Sequence, residues 1–168
     1  MLQQLKWWLF FTVGFYFCAV LTLLPLPLDF QWYRPQWLLL LMIFCQLQQP
    51  PLFNPMYAWV AGLLFDSLMG TPLGQYALVF AVVSYITALM RRKFLLKPLQ
   101  LQMGKIFLLI ALGQILMLWF HALVGENPHS LLYWMGSVTS CLVWPLFVTV
   151  FQGWERLLRI NASSLRGI

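Results

Sequence analysis

The stretch Gly62-Leu63-Leu64-Phe65-Asp66-Ser67-Leu68-Met69-Gly70-Thr71-Pro72-Leu73-Gly74-Gln75-Tyr76-Ala77-Leu78 sets one carboxylate, three glycines and a proline between long apolar runs. It predicts the end of one membrane helix, a tight reversal and the start of the next. Gly70 suits the left-handed residue that closes a helix. Thr71 suits the N-cap of the following one, and Pro72 its first position, where the missing N–H would be unpaired anyway. Gly70 and Gly74 then flank a turn and do not form a helix-dimer groove. Asp66 lies one helical turn before the reversal, within reach of the free N–H groups that begin the next helix.

Composition sets the class. With 62% hydrophobic and 8% charged residues, the chain is far from a soluble domain of about 25% charge. The expectation is an all-α, polytopic membrane protein. Its 168 residues hold roughly six spans of about 20 residues as a single integral membrane domain over 1–168, with no separate soluble domain. Cys18, Cys45 and Cys141 lie inside apolar runs without CxxC or Cys/His spacing and read as small packing residues.

In chain order, the first span is Trp7 to Leu24, led by Lys6 and an aromatic pair at the interface. Pro25-Leu26-Pro27 stands where a signal peptide would carry small cleavage-site residues, so the span is read as uncleaved. The segment to Gln36 is a loop ending in an anchor of Trp32, Tyr33, Arg34, Pro35 and Trp37. The second apolar run, Pro35 to about Gln48, covers only about 20 Å of a hydrocarbon core of about 30 Å. It either thins the bilayer, snorkels its flanks, or extends through Gln46, Gln48 and Gln49 under cover of its neighbours. Asn54-Pro55 opens a third span to Met69, and the fourth runs from Pro72 to Met90. A basic loop from Arg91 to Lys105 leads to a fifth span, Ile106 to Val124, and a sixth, Leu131 to Phe151. From about residue 152 the pattern is that of an amphipathic interfacial tail, with Trp154, Leu157 and Leu158 opposite Glu155, Arg156 and Arg159.

Loop charge orients the chain. With six spans, every one of the ten basic residues except Arg34 falls on one side, while Asp29, Asp66 and Glu126 fall on the other. Both termini are thus expected in the cytoplasm. The net charge of +6 then reflects retention and contact with anionic lipid, with no nucleic-acid partner. Asn161-Ala162-Ser163 matches a glycosylation pattern that would be silent on that side.

Chemistry is sparse. No nucleophile sits beside a base, and no histidine pair with a glutamate marks a metalloprotease. No catalytic, cofactor or metal site is expected. His121 and His129 read as a polar residue near a span end and a loop residue, and Gln114 as a hydrogen-bonding partner of a neighbouring helix. Asp66 needs a partner, because an ionised Asp at a helix centre costs about 2.5–3.5 kcal/mol. Three readings stand in this order: the carboxylate caps the next helix, it pairs with Arg34 across the same face, or it carries protons or substrate.

The order of the Trp32, Arg34, Pro35, Trp37 anchor, the Asn54-Pro55 start, and Gly62-Leu63-x-x-Asp66-x-Leu68-x-Gly70-x-x-Leu73-Gly74-x-x-Ala77-Leu78 resembles the MreD family of bacterial rod-shape proteins. A Trp144-Pro145 pair in the last span extends the likeness over nearly the whole chain. The resemblance implies a non-enzymatic inner-membrane scaffold that works with MreC, MreB, and RodA and its partner penicillin-binding protein. It places the interaction or structural residues at Arg34, Pro35, Trp37, Asn54, Pro55, Gly62, Asp66, Gly70, Pro72 and Gly74. The family also resembles the substrate-binding membrane subunits of energy-coupling-factor transporters. That leaves a small-solute or lipid-binding subunit as the alternative.

Overall fold

A computed structural model of the chain describes residues 2–24, 33–49, 53–95, 99–124 and 131–157. Among these residues the fold is all-helical: α1 (Leu2–Leu23), α2 (Trp37–Gln48), α3 (Pro55–Met69), α4 (Gln75–Leu95), α5 (Leu99–Val124) and α6 (Met135–Leu157), with a 3-10 turn, Leu131–Trp134, leading into α6. The windows Gln4–Leu23, Leu101–Leu123 and Met135–Trp154 are long and apolar enough to cross a membrane. Helix α2 and Gln75–Arg91 are apolar but shorter.

Helix α2, the expected second span, is the centre of the bundle. At 12 residues it reaches only about 18 Å, yet every residue from Leu38 to Leu47 is buried. It packs against α1, α4 and α6. Its neighbours shield it, as the third of the expected ways to accommodate its length requires, while the helix itself ends at Gln48. Gln46 is buried and accepts a hydrogen bond from Ser84 Oγ at 3.0 Å, and the Arg91 guanidinium donates to the Leu47 carbonyl at 3.0 Å. The second bond satisfies a C-terminal carbonyl with a cation, as the helix dipole favours.

Helices α3 and α4 form the closest pair. A Cβ built on Gly62 would lie 2.3 Å from Ala77 Cα and 2.6 Å from Ala77 N. Only glycine permits that backbone approach. Phe65 meets Tyr76 edge-on at 4.8 Å just beside it. Towards the other end, Phe10, Phe44, Phe147, Phe151 and Trp154 tie α1, α2 and α6 together. Phe147 stacks on Phe151 at 4.2 Å, and Phe10 lies 5.0 Å from Trp154.

Several boundaries differ from the sequence expectation. The basic segment is not one loop: α4 continues through Arg91, Arg92 and Lys93 to Leu95, and α5 begins at Leu99. Lys, Arg, Gln and Leu are good helix formers, so helices persist beyond the apolar run. The fourth helix begins at Gln75 and not at Pro72, and the sixth starts with a 3-10 turn. Helix α6 continues without a break through residue 152 to Leu157; the rest of the expected tail, with Asp29, Trp32, Glu126 and His129, lies outside the described residues.

Candidate functional site

The reversal between α3 and α4 is built around Asp66, which is fully buried. Its backbone carbonyl closes α3, accepting from the N–H of Gly70 and, at 3.2 Å, from that of Thr71. Gly70 holds the left-handed conformation at φ 68° that such a closure demands. Its carboxylate then opens α4. Oδ1 accepts from Thr71 Oγ1 at 3.0 Å and Tyr76 N–H at 2.9 Å, while Oδ2 accepts from Gly74 N–H at 3.0 Å and Ala77 N–H at 3.3 Å. The Gln75 N–H donates to the Pro72 carbonyl at 3.3 Å and that of Leu78 to Gly74 at 3.0 Å. Every N–H of the first turn of α4 therefore has an acceptor.

This arrangement selects the capping reading of Asp66 and corrects two details. Thr71 does not cap α4; its hydroxyl donates to the Asp66 carboxylate. Pro72 lies in the turn ahead of the helix, with Gly74 at φ 105° making the last change of direction. An ion pair with Arg34 is absent among the described residues. The Arg34 guanidinium instead donates to the carbonyls of Thr22 and Leu24, at the C-terminal end of α1. The ion-pair reading failed because those carbonyls, negative by the helix dipole, are acceptors that a sequence pattern does not display.

Beside the reversal lies a cavity of about 420 Å³. Arg34, Pro35, Gln36 and Trp37 form one wall with Leu38 and Leu39 of α2; Phe65 and Met69 of α3 and Tyr76 and Phe80 of α4 form the next. Gln114, Met117 and His121 of α5 face them, together with Tyr133 and Gly136. Gln114 Nε2 donates to the Tyr133 carbonyl at 3.0 Å, and His121 Nδ1 lies 2.8 Å from the Met117 carbonyl. Gln75 Nε2 reaches Met117 Sδ at 3.4 Å.

The structure thus gathers Arg34, Pro35 and Trp37 around the same space as the residues flanking Asp66. Asn54 and Pro55 are apart from them, at the start of α3, where Asn54 takes an extended cap conformation without a side-chain bond and Pro55 follows as the first helical residue. Gly62 serves the helix crossing. Tyr133, Met117 and His121 were not legible as cavity residues. Gln114 carried the one usable signal, a polar amide in mid-span. Among the described residues no group of His, Cys, Asp and Glu could hold a metal ion.

Comparison with known proteins gives a consistent result. A model of the family described as rod shape-determining protein MreD matches residues 2–153. The rod shape-determining protein MreD of Haemophilus influenzae is 28% identical over 156 residues, covering 90% of this chain and 91% of that protein. No solved structure matches the chain.

Proposed function

The chain belongs to the MreD family of rod shape-determining membrane proteins, and from that premise we propose that it is a non-enzymatic scaffold of the cell-wall elongation complex. The observation that carries the reading is the state of Asp66. Its carboxylate accepts four hydrogen bonds from the turn it braces, so it acts as a structural cap and is not a free proton carrier or substrate ligand. What the reversal offers a partner is shape. One side chain ties the ends of α3 and α4 together and so holds the splay of two helices.

In this reading the reversal receives MreC, the basic side faces MreB, and RodA with its penicillin-binding partner completes the assembly. The chain is a single membrane domain of the bacterial inner membrane, with both termini and the Arg91 to Lys105 segment in the cytoplasm and the tail lying on anionic lipid. Affinity purification from native membranes tests the assembly. MreC and wall-synthesis enzymes are expected with the wild type, with less MreC captured by Asp66→Asn at equal membrane level. Recovery of an ATPase module instead would replace the scaffold by a transporter subunit. Orientation is tested by single-cysteine labelling in a cysteine-free variant: a cysteine at Asn127 should react with an impermeant reagent in intact spheroplasts and one at Lys97 should not.

A further inference from the structure

The scaffold reading leaves the cavity unused, yet its wall has a definite chemistry. Arg34 is there, and no carboxylate is among the described residues that line it. The guanidinium is held by two carbonyls of α1, while its Nε is buried without a partner among the described residues. Next to it along the chain is the start of α2, a helix of 12 residues whose N-cap, Gln36, makes no side-chain cap bond. The N–H groups of Leu38 and Leu39 have no acceptor among the described residues, and both residues line the cavity. A fixed cation beside an uncapped helix start is the combination that attracts an anion.

An independent observation comes from α5. Gln114 is 2% exposed, lines the cavity, and presents an Oε1 that accepts from nothing among the described residues. A buried acceptor calls for a donor. Trp37, Phe65, Met69 and Phe80 make the rest of the wall largely apolar, and about 420 Å³ is the size of a small-ligand site.

We propose that this cavity binds a phosphate-headed ligand bearing a hydroxyl or ammonium group. The phosphate is held by Arg34 and the first turn of α2, and the donor group serves Gln114. A guanidinium pinned by backbone carbonyls keeps its charge in place, which suits phosphate better than a mobile ammonium would. Two sources supply this chemistry, the head group of a glycerophospholipid and a water-soluble phosphate ester. Binding is a property of the chain alone, so it stands or falls separately from the scaffold role.

The test uses the purified full chain in detergent, read by native mass spectrometry and by thermal unfolding. The probes are phosphatidylglycerol, phosphatidylethanolamine, diacylglycerol, glycerol 3-phosphate and phosphoethanolamine. Saturable retention and thermal stabilisation are expected with a phosphate-bearing probe and not with diacylglycerol. Response to the lipids alone assigns the bilayer as the source; equal response to the soluble esters assigns a solute. Gln114→Leu, similar in size, should bind roughly tenfold more weakly, the loss of one buried hydrogen bond. Gln114→Glu should lose more, because its charge faces the phosphate. The proposal is overturned if no phosphate probe saturates, if diacylglycerol binds as well as the phospholipids, or if both folded Gln114 variants keep wild-type affinity.

Discussion

Helices α4 and α2 both begin at the same end of the bundle, and their first turns are treated in opposite ways. The N–H groups at the start of α4 are all taken, two of them by the carboxylate of Asp66. At the start of α2 the Gln36 N–H donates to the Ser140 hydroxyl at 2.9 Å and the Trp37 N–H donates to Pro35 at 3.0 Å, but no carboxylate arrives among the described residues. The two share the same backbone need and differ in who meets it. Where the chain supplies its own anion the result is a rigid turn. Where it supplies a cavity with an arginine, the result is a place for someone else's.

The largest expected effect attacks the geometry that brings Asp66 to α4. Gly62→Leu sets a side chain against the Ala77 backbone, which cannot yield as a flexible side chain would. We expect a loss above about 4 kcal/mol, in the exceptional class, seen as failure to accumulate a monodisperse protein in detergent. Normal accumulation would mean that the close crossing is dispensable.

Removing the anion tests the filled helix start directly. Asp66→Ala leaves three backbone N–H groups and one hydroxyl without their acceptor, and a single charge-assisted bond contributes about 1.5–3 kcal/mol. Thermal unfolding should show a loss of about 3 kcal/mol, with Asp66→Asn intermediate because its amide keeps one accepting oxygen. Equal stability of Asp66→Ala and wild type would erase the contrast between the two helix starts.

The contrast sharpens if it can be reversed. Gln36→Asp places a carboxylate at the N-cap of α2 and should stabilise the ligand-free protein by about 0.5–2 kcal/mol. It should also abolish the response to phosphate-bearing probes, since the helix start would then carry its own anion. Unchanged stability together with retained phosphate binding counts against the parallel.

The smallest effect is a control away from both helix starts. Ser84→Ala removes the hydroxyl bonded to Gln46 between α4 and α2, a buried polar contact of a kind that averages about 0.6 kcal/mol in membrane proteins. A small loss of thermal stability with unaltered probe binding is expected. A loss as large as that of Asp66→Ala would show that the α2–α4 seam, and not the reversal, carries the stability of this region.

Much of this molecule was decided locally and could be read before folding. The helices, the left-handed Gly70 and the capping role of Asp66 follow from residues within about a dozen positions of one another, where covalent connection itself keeps the partners close. The same locality explains the error at Thr71 and Pro72: two capping schemes were available a few residues apart, and the carboxylate outcompeted the hydroxyl for the N–H groups. The burial of α2, the carbonyl partners of Arg34 and the assembly of the cavity were decided only by tertiary structure. Apolar residues surround these helices on all sides, so periodicity cannot separate a face towards lipid from a face towards protein. The shortest and most uniformly apolar run therefore looked like the weakest span and is the core. Arg34 and Gln114 meet across one space only because α1, α2 and α5 pack where they do, and no spacing in the chain records that encounter.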